Sequence, residues 1–122
     1  MEAITRRLPE CEEMVMTIVW DALEAPDLAE TRRRVNEKFN KEWKPQTVST
    51  FLTRLVHKGF LTFYRKGRYS YYEPVVNKEE YCAAEVIRIA DMYFAGDMEK
   101  LAQFVRAEES RRHTYGKSRE KI

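Results

Sequence analysis

Between Lys44 and Tyr72 the chain has no Asp or Glu, although its 122 residues hold 20 acids and 22 Lys or Arg. Six of those bases fall within this one stretch, KPQTVSTFLTRLVHKGFLTFYRKGRYSYY. Carboxylates repel phosphates, so a basic segment without acids suits a polyanion better than it suits a merely solvated face. Other scarcities exclude whole classes of function. There are two cysteines, Cys11 and Cys82, far apart and each among apolar residues, which reads as a pair of buried thiols acting as small hydrophobes. No Cys-x-Cys, Cys-x-x-Cys or His-x-x-x-His spacing occurs, so neither a metal site nor a cofactor is expected. His57 and His113 have no companion, and no nucleophile, base and orienting acid gather, so catalysis is not expected either. No apolar run approaches the ~20 residues that cross a bilayer. The two arginines of MEAITRRLPE lead into no apolar stretch of the signal-peptide kind, which places the expected site of action in the cytoplasm, away from membranes.

What is present is periodic. Val48, Phe51, Leu52, Leu55 and Val56 recur at helical spacing, with Gln46, Thr50, Thr53, Arg54 and His57 opposite and Thr47 beside them. Pro45 suits the first turn of this helix and Gly59 its end, so it is expected over residues 45–58. The period then changes to two. Residues 60–64 and 68–72 are aromatic strands of a hairpin with Arg65, Lys66 and Gly67 at a basic tip.

Upstream, a core helix is expected over residues 10–23, its acids Glu10, Glu12 and Glu13 at the positive end of the dipole and Cys11, Val15, Ile18 and Ala22 on its inner face. Trp20 near its end needs cover. A second helix over residues 29–40 turns Leu28, Val35 and Phe39 inward and Arg32, Arg33 and Arg34 outward, where Glu30 and Glu37 balance them. Two helices joined by a short turn, the second presented outward and followed by a basic hairpin, form a winged helix-turn-helix. The expected fold is therefore mainly α with a small β-hairpin wing, a DNA-binding domain over residues 1–75 and a helical dimerisation region over residues 76–122. In the latter, helices over residues 77–94 and from Asp97 onward carry more apolar surface than so small a unit covers. A homodimer accounts for this most simply, with Ile87, Ala90, Phe94, Met98, Leu101, Ala102 and Val105 in its interface, the alternative being helices folded back on the same chain. From Ser110 onward the sequence is polar and basic without a period, and a mobile tail is expected.

Leu8-Pro9 with Glu12, Met16 and Trp20-Asp21, then TVSTFLTRLVHKGFL from Thr47 and the Lys66-Gly67 tip with Tyr71-Tyr72 behind it, resemble the BlaI/MecI family of penicillinase repressors over about residues 8–108. The resemblance implies a homodimeric winged-helix repressor on a dyad-symmetric double-stranded DNA operator, often with TACA and TGTA half-sites, controlling genes of the β-lactam-resistance type. By position it puts helix contacts on Lys44, Thr47, Thr50 and Arg54 and wing contacts on Lys66 and Arg68; the polar helix face adds Gln46. Copper-responsive relatives carry a Cys-x-Cys tail, whereas this chain ends RRHTYGKSREKI, so copper sensing is not expected. Antibiotic-responsive members answer an upstream sensor or protease and are cut at an Asn-Phe bond, to which Gln103-Phe104 corresponds here. The rival reading is a winged-helix module that binds an acidic protein without specific DNA binding.

Overall fold

The computed structural model describes residues 7–120, with side chains described as far as residue 113. Five helices and one hairpin follow in the order α1 (Glu10–Asp21), α2 (Leu28–Phe39), α3 (Pro45–His57), β1 (Leu61–Lys66), β2 (Tyr69–Pro74), α4 (Lys78–Tyr93) and α5 (Met98–Glu120). They divide into two compact units, one ending at Cys82 and the other beginning at Ala83. The division falls inside α4, because Tyr81 in its first turns belongs to the core of the first unit.

That core is built from the inner faces of three helices, with Val15, Met16, Ile18 and Val19 from α1, Val35 from α2 and Val48, Leu52 and Leu55 from α3. Leu8, Phe60, Leu61, Val76 and Tyr81 close it. The inner face of α1 differs from the expected one. Glu12 and Met16 are buried, while Cys11 and Ala22 are only half-buried, so the stripe is turned toward Glu12. Cys82 is exposed, against expectation, because its neighbour Tyr81 takes the inward position and the next residue of a helix points about 100° away. The Tyr81 hydroxyl accepts from the Leu8 N–H at 2.9 Å and donates to Glu13 Oε2 at 2.6 Å, fastening the entry of α1 to α4. Trp20 finds its cover against the Tyr81 ring, 5.7 Å between centroids, and its Nε1 donates to the Val76 carbonyl at 2.9 Å.

Local signals set the helix ends. Asp27 Oδ1 accepts from Glu30 N at 2.8 Å to start α2, and Asn40 ends it in the left-handed region at φ 54°. Gly59 takes φ 82° after α3, and the bonds Gly59 N to Val56 O at 3.0 Å and Phe60 N to Leu55 O at 2.9 Å form a Schellman closure. The strands pair antiparallel with Phe63 opposite Tyr72 and Lys66 opposite Tyr69. They run further than expected, so the turn holds Gly67 and Arg68 alone, and Gly67 supplies the positive φ, 66°, that a two-residue connection requires. Tyr72 N donates to the Pro26 carbonyl at 3.0 Å and Val75 N to the Phe60 carbonyl at 2.8 Å, so the base of the hairpin is bonded to the body of the unit.

α4 opens with a capping box in which Asn77 Oδ1 accepts from Glu80 N at 2.8 Å and Glu80 Oε1 accepts from Asn77 N at 3.2 Å. It ends where Gly96 N bonds the Ala90 carbonyl at 2.9 Å, after which Asp97 Oδ1 caps α5 through Glu99 N and Lys100 N. Phe94 and Phe104 pack across this turn with centroids 5.6 Å apart. The backbone beyond Ser110, expected as an aperiodic tail, continues as helix to Glu120. Apolar period was the wrong criterion for it. Arg and Lys favour helix without a stripe, and the ion pair of Arg111 with Glu108 at 2.9 Å spans the point where the tail was expected to begin. Among the described residues, no helix is long and apolar enough to cross a membrane.

Candidate nucleic-acid interface

The position of α3 is fixed at its start by one peptide unit. The Trp43 carbonyl accepts from Arg32 Nε at 2.7 Å and from Asn36 Nδ2 at 3.1 Å, while the Trp43 N–H donates to Asn36 Oδ1 at 3.0 Å. Trp43 is therefore held by α2 through both its N–H and its carbonyl, and its ring packs on Phe51 of α3 at 5.1 Å. At the far end, Lys58 Nζ lies 2.5 Å from Glu12 Oε1 of α1. Sequence reasoning missed these roles. It assigned Glu12 to the helix dipole and Arg32 to a solvated face and did not single out Asn36, because bonds spanning 7 to 46 residues leave no local pattern.

α3 buries Val48, Leu52 and Leu55 and turns its other face outward. Lys44, Gln46 and Arg54 are exposed and Thr47 and Thr50 half-buried, so the expected helix residues do come together on one side. Thr50 Oγ1 donates to the Gln46 carbonyl at 3.0 Å, which leaves its lone pairs as acceptors. Lys66 and Arg68 are exposed on either side of Gly67, and the Arg68 guanidinium lies 5.8 Å from the centre of the Tyr69 ring. A cleft of about 350 Å³ opens between the start of α2, Pro45 and the wing residues Arg68, Tyr69 and Tyr72. Arg65, expected at the basic tip but not among the contacts, is also exposed and belongs to this basic surface, within β1 opposite Ser70.

Arg33, Arg34, Lys38, Lys58, Lys78, Arg88, Arg106 and Arg111 all have carboxylate partners. Among the described residues, Lys44, Arg54, Arg65, Lys66 and Arg68 form no ion pair. Lys41, Lys100 and Arg112 also lack a carboxylate partner among them, so this surface stands out by how many such cations fall on α3 and the wing, in a stretch without acids. By their partners, Arg33 and Arg34 are set apart from the interface, whereas Arg32 bonds the Trp43 carbonyl and lines the cleft beside Pro45 and Arg68. Hydrogen bonds from Arg33 and then Arg34 hold the Glu30 carboxyl down to about 2, and Glu30 remains an anion beside them.

In the second unit, Ile87, Met98 and Val105 are about half exposed or more, as are Met92, Tyr93 and Phe104, while Phe94, Leu101 and Ala102 are half-buried. Ala90 is 1% exposed and is already covered within one chain, so it offers a second copy nothing to touch. Gln103 and Phe104 are both exposed on α5. Among the described residues, no group of three His, Cys, Asp or Glu is arranged to hold a metal ion.

Three helices, a short turn held from both sides, an outward helix with unpaired cations and a bonded hairpin beyond it define a winged helix-turn-helix of the DNA-binding class. The pattern of the penicillinase repressor family matches residues 8–115, and the chain belongs to that family, which makes it a transcriptional repressor and not an enzyme. It is 22% identical over 95 residues to the penicillinase repressor of Bacillus licheniformis, covering 78% of this chain and 72% of that one. The solution structure of the DNA-binding domain of the repressor BlaI is similar at 27% identity and TM-score 0.53, covering 62% of this chain and 88% of that domain. The monomeric form of Bacillus licheniformis BlaI in complex with the blaP half-operator is similar at 26% identity and TM-score 0.52, covering 63% and 90%.

Proposed function

We propose that two copies of this chain bind a dyad-symmetric operator in the cytoplasm and block transcription from it, with α3 in the major groove and the hairpin on the neighbouring phosphates. The observation that carries this reading is that five exposed cations without carboxylate partners, Lys44 and Arg54 on or beside α3 and Arg65, Lys66 and Arg68 on the wing, fall within the one stretch from Lys44 to Tyr72 that holds no acid. A surface of that kind releases counterions from DNA, which supplies most of the affinity. The helix side chains Gln46, Thr47, Thr50 and Arg54 then supply register by touching base edges. No bond is made or broken. The similar BlaI monomer in complex with a half-operator supports one subunit per half-site.

The half-exposed apolar side chains of α4 and α5, Ile87, Met98 and Val105 with Leu101 and Ala102 beside them, support the second copy, since a contiguous apolar patch on a monomer marks an interaction surface. Family membership points to target genes of the β-lactam-resistance type and to an upstream sensor or protease acting on α5 near Gln103-Phe104. Selection of bound duplexes from random sequence by the intact chain tests the proposal. Inverted half-sites spaced by about one helical turn are expected among the survivors. Recovery of unrelated sequences, with tight binding to an acidic protein instead, would replace the DNA reading with that of a protein-interaction module.

A further inference from the structure

Glu12 is the one acid buried among the described residues, and its partner is the residue that closes the DNA-facing helix. The side chains of Glu12 and Lys58 are 3% and 19% exposed, with Oε1 and Nζ 2.5 Å apart. Such a pair is a poor way to gain stability, because removing two charges from water offsets most of their attraction and apolar residues of similar volume often do as well. Its location is more informative than its energy. Lys58 N–H reaches the Arg54 carbonyl at 2.9 Å, Gly59 then turns left-handed, and Phe60, 1% exposed, begins the base of the wing. One side-chain bond therefore fastens to α1 the corner from which both DNA-facing elements diverge. The same bond keeps an ammonium group within about one turn of Arg54 from meeting phosphates, where it would attract any sequence equally.

We propose that Glu12 and Lys58 are positioning residues for operator recognition. Together they set the depth of α3 and the angle of the wing, and they withhold Lys58 from the sequence-independent part of binding. The inference rests on the DNA reading above and adds to it a determinant of specificity that touches no DNA.

The test compares affinities for a duplex selected from random sequence by the parent chain and for a scrambled duplex of equal length, with circular dichroism melting to confirm the fold. Glu12→Gln keeps the shape and removes the charge. The apolar pair Glu12→Leu/Lys58→Met leaves no unpaired charge and carries the test if Glu12→Gln fails to fold. The ratio of the two affinities is expected to fall about tenfold in each, roughly the discrimination of one base contact. Lys58→Arg, which preserves the pair, is expected to keep the parent's ratio. A purely structural role would lower both affinities by the same factor, so folded variants with the parent's ratio would overturn the proposal. A parent chain with no preference for the selected duplex would overturn the DNA reading itself, and this proposal with it.

Discussion

Replacing both wing cations, Lys66→Ala/Arg68→Ala, should change how binding depends on salt more than it changes the fold. Both side chains are exposed, neither forms an ion pair among the described residues, and the pairing of Lys66 with Tyr69 is made by the backbone. Removing one phosphate contact lowers the slope of log affinity against log salt by about 0.9, so two such removals in each of two subunits amount to about 3.6. Between about 50 and 200 mM salt, the affinity of the parent should then fall about 150-fold further than that of the variant. Fluorescence anisotropy with a labelled duplex at a series of salt concentrations reads this directly. A change of about half that slope would assign the phosphate contact to one of the two cations. An unchanged slope would mean that the wing stands clear of DNA, and the hairpin's role as a backbone clamp would have to be abandoned.

Other outcomes follow from single side chains. Arg54→Ala should cost about 1–3 kcal/mol on the selected duplex and relax preference at one position of each half-site, whereas an equal loss on random DNA would make Arg54 a phosphate contact. Asn36→Ala removes both of its bonds to Trp43 and leaves a partly buried N–H unsatisfied, a change of about 1–3 kcal/mol that urea denaturation will show as a lower midpoint; an unmoved midpoint would mean that the turn is held by Arg32 alone. Leu101→Asp places a carboxylate in the proposed dimer surface, so sedimentation should show monomers while the first unit keeps its fold, and an intact dimer would locate the interface elsewhere. A family protease that requires Asn-Phe should leave the Gln103-Phe104 bond uncut, because the extra methylene moves the amide within its pocket; Gln103→Asn should increase cutting, and efficient cleavage of the unaltered chain at that bond by mass spectrometry would refute this.

The elements were legible because each carried a local signature. The stripe from Val48 to Val56, Pro45 and Gly59 at the ends of α3, the Asn77 and Asp97 caps and the aromatic alternation of the hairpin all act over a few residues, and the structure keeps them. Errors arose where geometry depends on distant partners. Cys82 looks apolar in context, but Tyr81 has the stronger claim on the core through Leu8, Glu13, Trp20 and Phe60, far away in sequence. Glu12 looks like an ordinary first-turn acid until Lys58 comes within reach of it. Ala90 shares a stripe with Phe94, yet period alone does not say which part of an apolar face its own chain already covers. The helix beyond Ser110 has no apolar stripe at all, so apolar period could not reveal it. The basic surface was legible from the missing acids, and the balance of Arg33 and Arg34 from the neighbouring Glu30 and Glu37, whereas the bond of Arg32 to the Trp43 carbonyl emerged only in three dimensions.

The central claim is that this surface reads DNA sequence as well as DNA charge. The most direct measurement is the affinity of the intact chain for its selected duplex relative to a scrambled duplex, taken at near-physiological salt and repeated as salt is raised. A specific repressor should prefer the selected site by at least about a thousandfold, with both affinities falling as salt rises and the preference persisting. Equal affinities for the two duplexes at every salt concentration would contradict the claim and leave a basic surface that does not distinguish one DNA sequence from another.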